Sequence, residues 1–206
     1  MAPADFSPIY LVDGATGSAV AAELRQEIGA AQLTDWVTKW QPAVHEIMRE
    51  LIAKGVPQDR WPQSSHWRWD QKVARVSGLL AHKGFSVTAT GVCQGLMQVK
   101  LTQSARLPEQ HGKPLVYVEY LETAPWNRSD CVPVRRFKGV GTALLTAAVA
   151  LSEQETFKGR IGLHSLPQAD EFYQDLGMCD LGPDPHYPNQ LRYFEFTAEQ
   201  AAAFLV

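Results

Sequence analysis

The spacing of apolar residues changes along this chain. Ile9-Tyr10-Leu11-Val12 reads as a short strand ended by Asp13-Gly14. Ser18 to Ile28 then reads as a helix, Trp36, Val37 and Trp40 fall at helical intervals, and Pro42 to Ala53 predicts another helix, stopped by Gly55. Turn formers make Pro57 to Ser65 a loop, and Trp67 to His82 predicts a third helix, closed by Gly84. From Phe85 the rhythm becomes alternating. Phe85 to Val92, and Met97, Val99 and Leu101 set against Gln98 and Lys100, predict two antiparallel strands with a tight turn near Gln94-Gly95.

The strongest strand signal is Leu115 to Leu121, ended by Pro125. Ala143, Leu144, Ala147, Ala148 and Leu151 give one apolar helix face, and Gly159 to Leu163 reads as a short buried strand. Ser165 and Gln168 fit a capping box, with Pro167 in the first turn of a helix that buries Ala169, Phe172, Tyr173 and Leu176 and stops at Gly177. Leu191 to Phe196 predicts a last strand, and Thr197 caps a terminal helix. Helices, then a strand meander, then strand–helix–strand–helix–strand predict an α/β class (an α+β mixed sheet), with residues 1–84 as a helical part and 85–206 as the core.

Composition removes several functions. A formal charge of -3 argues against a nucleic-acid surface, and no apolar run reaches membrane-spanning length. Met1 to Phe6 shows no basic segment leading into an apolar one, so no secretory signal is expected. Cys93, Cys131 and Cys179 are far apart and form no CxxC pair, which predicts reduced thiols, a cytoplasmic location and no metal site. His45-Glu46 lacks the second histidine of a zinc-protease helix, and Ser64-Ser65-His66 lacks a glycine elbow.

The chemistry concentrates at Arg136-Phe137-Lys138-Gly139-Val140-Gly141, followed directly by Thr142-Ala143-Leu144-Leu145. Two glycines stand where a loop becomes a helix, and the first N–H groups of a helix have no partner inside it. Such a turn can hold a phosphate. Downstream stands Ala169-Asp170-Glu171-Phe172-Tyr173-Gln174-Asp175-Leu176-Gly177-Met178. Together these segments resemble the GNAT superfamily of N-acetyltransferases. The first fits its loop Q/R-x-x-G-x-G/A, and the second fits its segment A-x-x-F-Y-x-x-L-G-F.

The resemblance covers the chain from Phe85 onward and implies a GNAT-like fold with extra N-terminal helices covering an acceptor site. It implies acetyl-CoA as cosubstrate, with the diphosphate on the N–H groups from Phe137 to Thr142, positive charge from Arg136, and pantetheine pairing along Leu121, Glu122 and Thr123. It places a proton-donating tyrosine at Tyr173. Glu119 or Glu122 could accept the proton of an incoming primary amine, directly or through water. The acceptor is a small molecule or a peptide, and last-strand pairing offers a homodimer route.

Two departures favour a second reading, a CoA-binding regulatory or scaffold module without turnover. Trp126 to Val134 lengthens the connection into the glycine loop, and Leu166 stands where the family often has asparagine. Tyr173 also suits a plain core aromatic. Trp36, Trp40, Trp61, Trp67 and Trp69 fit either an aromatic wall for a cationic acceptor or a packed helical cover.

Overall fold

The computed structural model describes residues 7–205. Met1 to Phe6, the segment tested for a secretory signal, lies outside the described residues. The strands are β1 (Ser7–Asp13), β2 (Ala19–Arg25), β3 (His82–Ala89), β4 (Val92–Ser104), β5 (Pro114–Thr123), β6 (Phe137–Lys138), β7 (Ile161–Ser165), β8 (Cys179–Pro183) and β9 (Arg192–Glu195). The helices are α1 (Ala30–Asp35), α2 (Gln41–Ala53), α3 (Trp69–Val76), α4 (Val140–Gln154), α5 (Asp170–Asp175) and α6 (Ala198–Phe204). The strands form one mixed sheet in the order β6-β1-β2-β3-β4-β5-β7-β9-β8. The chain divides into two compact units: the described residues of 1–79, 84–97 and 121–144, and those of 80–83, 98–120 and 145–206.

In the first unit β1 and β2 form an antiparallel hairpin, from Ser7↔Leu24 to Val12↔Ala19. Asp13 Oδ1 closes its turn by accepting the N–H groups of Ala15 and Thr16 at 3.0 and 2.8 Å. The expected helix from Ser18 to Ile28 is therefore strand β2. Its Ala- and Leu-containing sequence favours a helix, but pairing on one side with β1 and on the other with β3 overrides that preference. The tryptophan spacing does give a helix: α1 continues through a π-helical stretch, Trp36–Trp40, into α2. Trp40 Nε1 donates to the Cys93 carbonyl at 3.0 Å, and Asp35 Oδ2 accepts the Cys93 N–H at 2.8 Å.

Two boundaries move. Helix α3 ends at Val76, ahead of Gly78 at φ +77°, and His82 already begins β3, so Gly84 lies in a strand. The hairpin turn falls at Thr90-Gly91, where both residues take positive φ (51° and 74°), and not at Gln94-Gly95, which lie inside β4.

In the second unit β5 and β7 are parallel, β7 and β9 antiparallel, and β9 and β8 antiparallel with an irregularity between Asp180 and Pro183. The buried strand expected from Gly159 starts at Ile161, because Gly159 sits at φ +72° in the preceding turn. Strand β8 is unanticipated. Its Gly182 and Pro183 read as turn residues, and an edge strand tolerates both. The last strand is consequently internal, and the edge expected for subunit pairing belongs to β8.

The residue at the cap of the turn that leads into the helix is Leu166, one place after the expected Ser165. Ser165 Oγ donates to the Leu166 carbonyl, and α5 begins after a 3-10 turn over Pro167–Ala169. A capping box forms at Thr197, with the Gln200 N–H on Thr197 Oγ1 at 3.1 Å and the Thr197 N–H on Gln200 Oε1 at 2.9 Å. Among the described residues no helix is long and apolar enough to cross a membrane.

Candidate active site

Helix α4 begins at Val140, immediately after Gly139, whose φ of +91° favours glycine. The Ala143 N–H is bonded to the Gly139 carbonyl at 2.9 Å, so the helical ladder opens with that bond and Val140 and Gly141 precede its first donor. Gly139 is exposed, as are Arg135, Arg136 and Lys138 beside it. Arg136 lies over the Phe137 ring, 5.2 Å from its centroid. These features suit an anion.

Phe137 is a correction to the expected cradle. Its ring is buried, and its N–H donates to Asn127 Oδ1 at 3.0 Å. The pairing of β6 with β1 explains the direction. Alternate pairs of an antiparallel ladder exchange bonds, and the Gly14 N–H on the Arg136 carbonyl sets a phase in which the Phe137 N–H points away from β1. The Phe137 N–H is thus taken up within the protein. The long connection from Trp126 to Val134 is fastened: Trp126 Nε1 and Asn127 Nδ2 donate to Gln94 Oε1 at 2.8 and 2.9 Å, and the Arg136 N–H donates to the Trp126 carbonyl at 2.7 Å.

Gly95, expected in a turn, instead joins the glycine loop to the end of β5. A Cβ there would stand 2.5 Å from Val140 Cγ1, 3.0 Å from Leu144 Cδ1 and 3.7 Å from the Glu122 carbonyl. Gly95→Ala is expected to cost about 1–3 kcal/mol through overpacking, read as a lower melting temperature.

The two candidate glutamates on β5 separate. Glu122 is buried, with Oε1 accepting from Ser64 Oγ at 2.5 Å and Oε2 from Trp69 Nε1 at 2.6 Å. Arg128 Nη1 stands 3.5 Å from Oε1. Burial raises its pKa, against the lowering effects of Ser64, Arg128, Trp69 and Lys72. This carboxylate ties the start of α3 and the turn before it to β5. The tryptophans likewise pack: Trp36, Trp40 and Trp69 are buried, and Trp67 meets Trp69 edge-on at 6.4 Å.

Glu119 instead lines a cavity of about 270 Å³ in the second unit, with Tyr117, His164, Tyr187, Tyr193 and Arg106. Gln98 Nε2 donates to Glu119 Oε2 at 3.0 Å, and His82 Nε2 stands 3.4 Å from the same oxygen. Pairing of β5 with β7 stops at Val118↔Leu163 although both strands run on, so they part at Glu119 and His164. Gly162 makes room for the cavity wall, since a Cβ there would stand 2.3 Å from Tyr193 Oη.

Tyr173 is buried on α5, 5.2 Å from the Phe172 ring and 5.6 Å from that of Phe194. Burial pushes its pKa well above the ordinary phenol value, so it stays protonated. It does not line the cavity that holds Glu119.

No family model matches this chain, and no curated protein matches it in sequence. Solved structures do match. The GNAT domain of PAT from S. lividans aligns at a TM-score of 0.55 with 15% identity, over 95% of this chain and 99% of that one. The PaiA N-acetyltransferase of Thermoplasma acidophilum, in complex with coenzyme A, aligns at 0.51 with 12% identity, over 84% and 97%. Mycobacterium smegmatis RimJ, in complex with CoA-disulfide, aligns at 0.51 with 15% identity, over 96% and 92%. At these identities the likeness is one of fold.

Proposed function

We propose that this chain, which has the GNAT fold, is an N-acyltransferase that moves an acetyl group from acetyl-CoA to a primary amine. The observation that carries this reading is the start of α4. An exposed glycine at positive φ leads into the first turn of a fifteen-residue helix, the positive end of its dipole, with Arg135, Arg136 and Lys138 alongside. The residues present fit a diphosphate: Gly139 leaves its N–H approachable, and the cations add charge-assisted contacts. Two of the fold neighbours were solved with coenzyme A or its disulfide, which supports the same donor here.

In this reading the last residues of β5, Leu121 to Thr123, pair with the amides of the donor's arm, and a backbone N–H there polarises the thioester carbonyl. Tyr173 gives its proton to the departing sulfur, a role its buried, protonated phenol suits. Glu119 receives the acceptor's ammonium group.

Calorimetric titration with acetyl-CoA tests the donor, and saturable heat is expected. Thiol release is then followed with phenylethylamine, spermidine, glycinamide and a short free-N-terminus peptide. Tyr173→Phe is expected to lower turnover by about 10²-fold or more while leaving acetyl-CoA affinity unchanged. Binding without turnover on every acceptor would favour the regulatory module instead.

A further inference from the structure

From the cavity wall a chain of three side chains runs inward that the reading above does not use. Tyr117 Oη lies 2.7 Å from His164 Nδ1, and His164 Nε2 lies 2.9 Å from Asp184 Oδ2. Arg106 Nη1 donates to the same Asp184 oxygen at 2.6 Å, and the His186 N–H donates to Asp184 Oδ1 at 2.9 Å. We propose that Tyr117, His164 and Asp184 form a proton relay that takes the proton of the amine acceptor, with Tyr117 touching the acceptor and His164 holding the proton. The proposal rests on the acyltransferase reading and names its base.

The hydrogen bonds fix the direction of transfer. The Asp184 carboxylate, with Arg106, His164 and the His186 N–H as donors, is held well below the usual carboxylate range, so it is ionised and only accepts. His164 Nε2 therefore carries the hydrogen, and Nδ1 offers its lone pair to the Tyr117 hydroxyl. That hydroxyl donates inward, which leaves its own lone pairs for a donor in the cavity.

The resting protonation states are those the route starts from. Burial lowers the pKa of His164, helped by Arg106 and opposed by Asp184, so the ring is neutral at pH 7. Burial and the Tyr187 hydroxyl, 3.5 Å away, raise the pKa of Tyr117 far above the ordinary phenol value. A phenol so weakly acidic does not wait as phenolate. It takes the ammonium proton as it passes its own to Nδ1, and the charge comes to rest on an imidazolium facing Asp184. The other groups around His164 are Glu119 on β5, Tyr193 on β9, and the Tyr187 ring stacked on it at 3.6 Å.

Atoms balance along this route. The ammonium loses one proton to the relay, and the free amine nitrogen forms its bond to the thioester carbon. The nitrogen sheds its second proton as the C–S bond breaks, which offsets the proton that the thiolate gains. The relay's proton returns to water. Glu119 supplies the negative charge that holds the cation in place, and four tyrosines with His164 supply aromatic faces. At about 270 Å³ the cavity falls at the low end of ligand pockets, commonly about 300–1,000 Å³. It suits a small amine.

The test has two arms on the whole chain. Nitrogen-15 histidine NMR reads the resting relay: His164 is expected as the Nε2–H tautomer at pH 7, with its titration below the ordinary histidine range and its Nδ1 signal displaced in Tyr117→Phe. The Nδ1–H tautomer, or a charged His164 at pH 7, overturns the proposal. The second arm measures kcat/KM against pH with phenylethylamine and acetyl-CoA. Tyr117→Phe and His164→Gln are expected to lower it by about 10²–10⁴-fold, with the acid limb lost in His164→Gln and acetyl-CoA affinity unchanged. An acid limb that survives in His164→Gln and disappears in Glu119→Gln gives the base to Glu119 and overturns the relay. So does acetyl-CoA binding without turnover of phenylethylamine or spermidine. Absent acetyl-CoA binding removes the acyltransferase reading instead, and the tautomer still reports on the hydrogen-bond chain.

Discussion

Glu122→Ala is expected to destabilise the protein by about 3–5 kcal/mol, the range for removing one member of a buried ion pair. The side chain accepts from Ser64 Oγ and Trp69 Nε1 and stands 3.5 Å from Arg128 Nη1. Alanine removes the acceptor that all three donors face. For a chain of this size the loss corresponds to a fall on the order of 10 °C in melting temperature. Differential scanning calorimetry without ligand reads it directly. A fall of only a degree or two would mean that the donors find other acceptors. Arg128 has one already, because Nε and Nη2 hold Asp130 at 3.1 and 2.6 Å.

The pH dependence separates charge from packing. Burial raises the pKa of Glu122 above its ordinary value of 4.5. The folded chain therefore keeps this proton at a pH where the unfolded chain has lost it. Stability from this group is full below pH 4.5 and declines as pH rises through the folded pKa. Glutamine keeps the shape without the titration. The stability advantage of wild type over Glu122→Gln is thus expected to widen as pH falls from 7 to 5. A gap that narrows over the same range would show that the pair with Arg128 outweighs burial.

The glycine loop and the Phe-Tyr helix were legible because each depends on local chemistry. Glycine at positive φ, a helix start and an apolar helix face are written within a few residues of one another. Strand β2 was not legible, because Ala19 to Arg25 has helix-forming residues and becomes a strand only through β1 and β3 on its flanks. Strand β8 was hidden for the opposite reason, since its glycine and proline are signals of turns. Gly95 was visible as a glycine and misplaced in a turn, and its contact with Val140 spans 45 residues of sequence. The cavity was half legible. Strand alternation places Tyr117 and Glu119 on one face of β5, but His164 and Asp184 carry no motif and meet Tyr117 only through the pairing of β5, β7 and β9.

Gly139→Val is expected to weaken acetyl-CoA binding by 100-fold or more, about 2.7 kcal/mol. Two effects combine. A β-branched residue at φ +91° is strained, so the turn into α4 would shift to relieve it. The new side chain would also stand beside the N–H groups assigned to the diphosphate. Within the protein there is room for it, since the nearest atom to an added Cβ is Leu11 Cδ2 at 3.9 Å. The obstruction therefore falls on the ligand side more than on the core. Gly95→Ala should show the reverse balance, because its Cβ meets Val140 and Leu144 inside the protein. Calorimetric titration of both variants, with melting curves for each, separates the two sites. If Gly139→Val melts a few degrees lower yet binds acetyl-CoA within threefold of wild type, the start of α4 is a structural turn and the diphosphate is held elsewhere. Raising the salt concentration gives an independent reading. Arg135, Arg136 and Lys138 are exposed, so their attraction for phosphate is screened, and wild-type affinity should fall with salt while the residual affinity of Gly139→Val changes less.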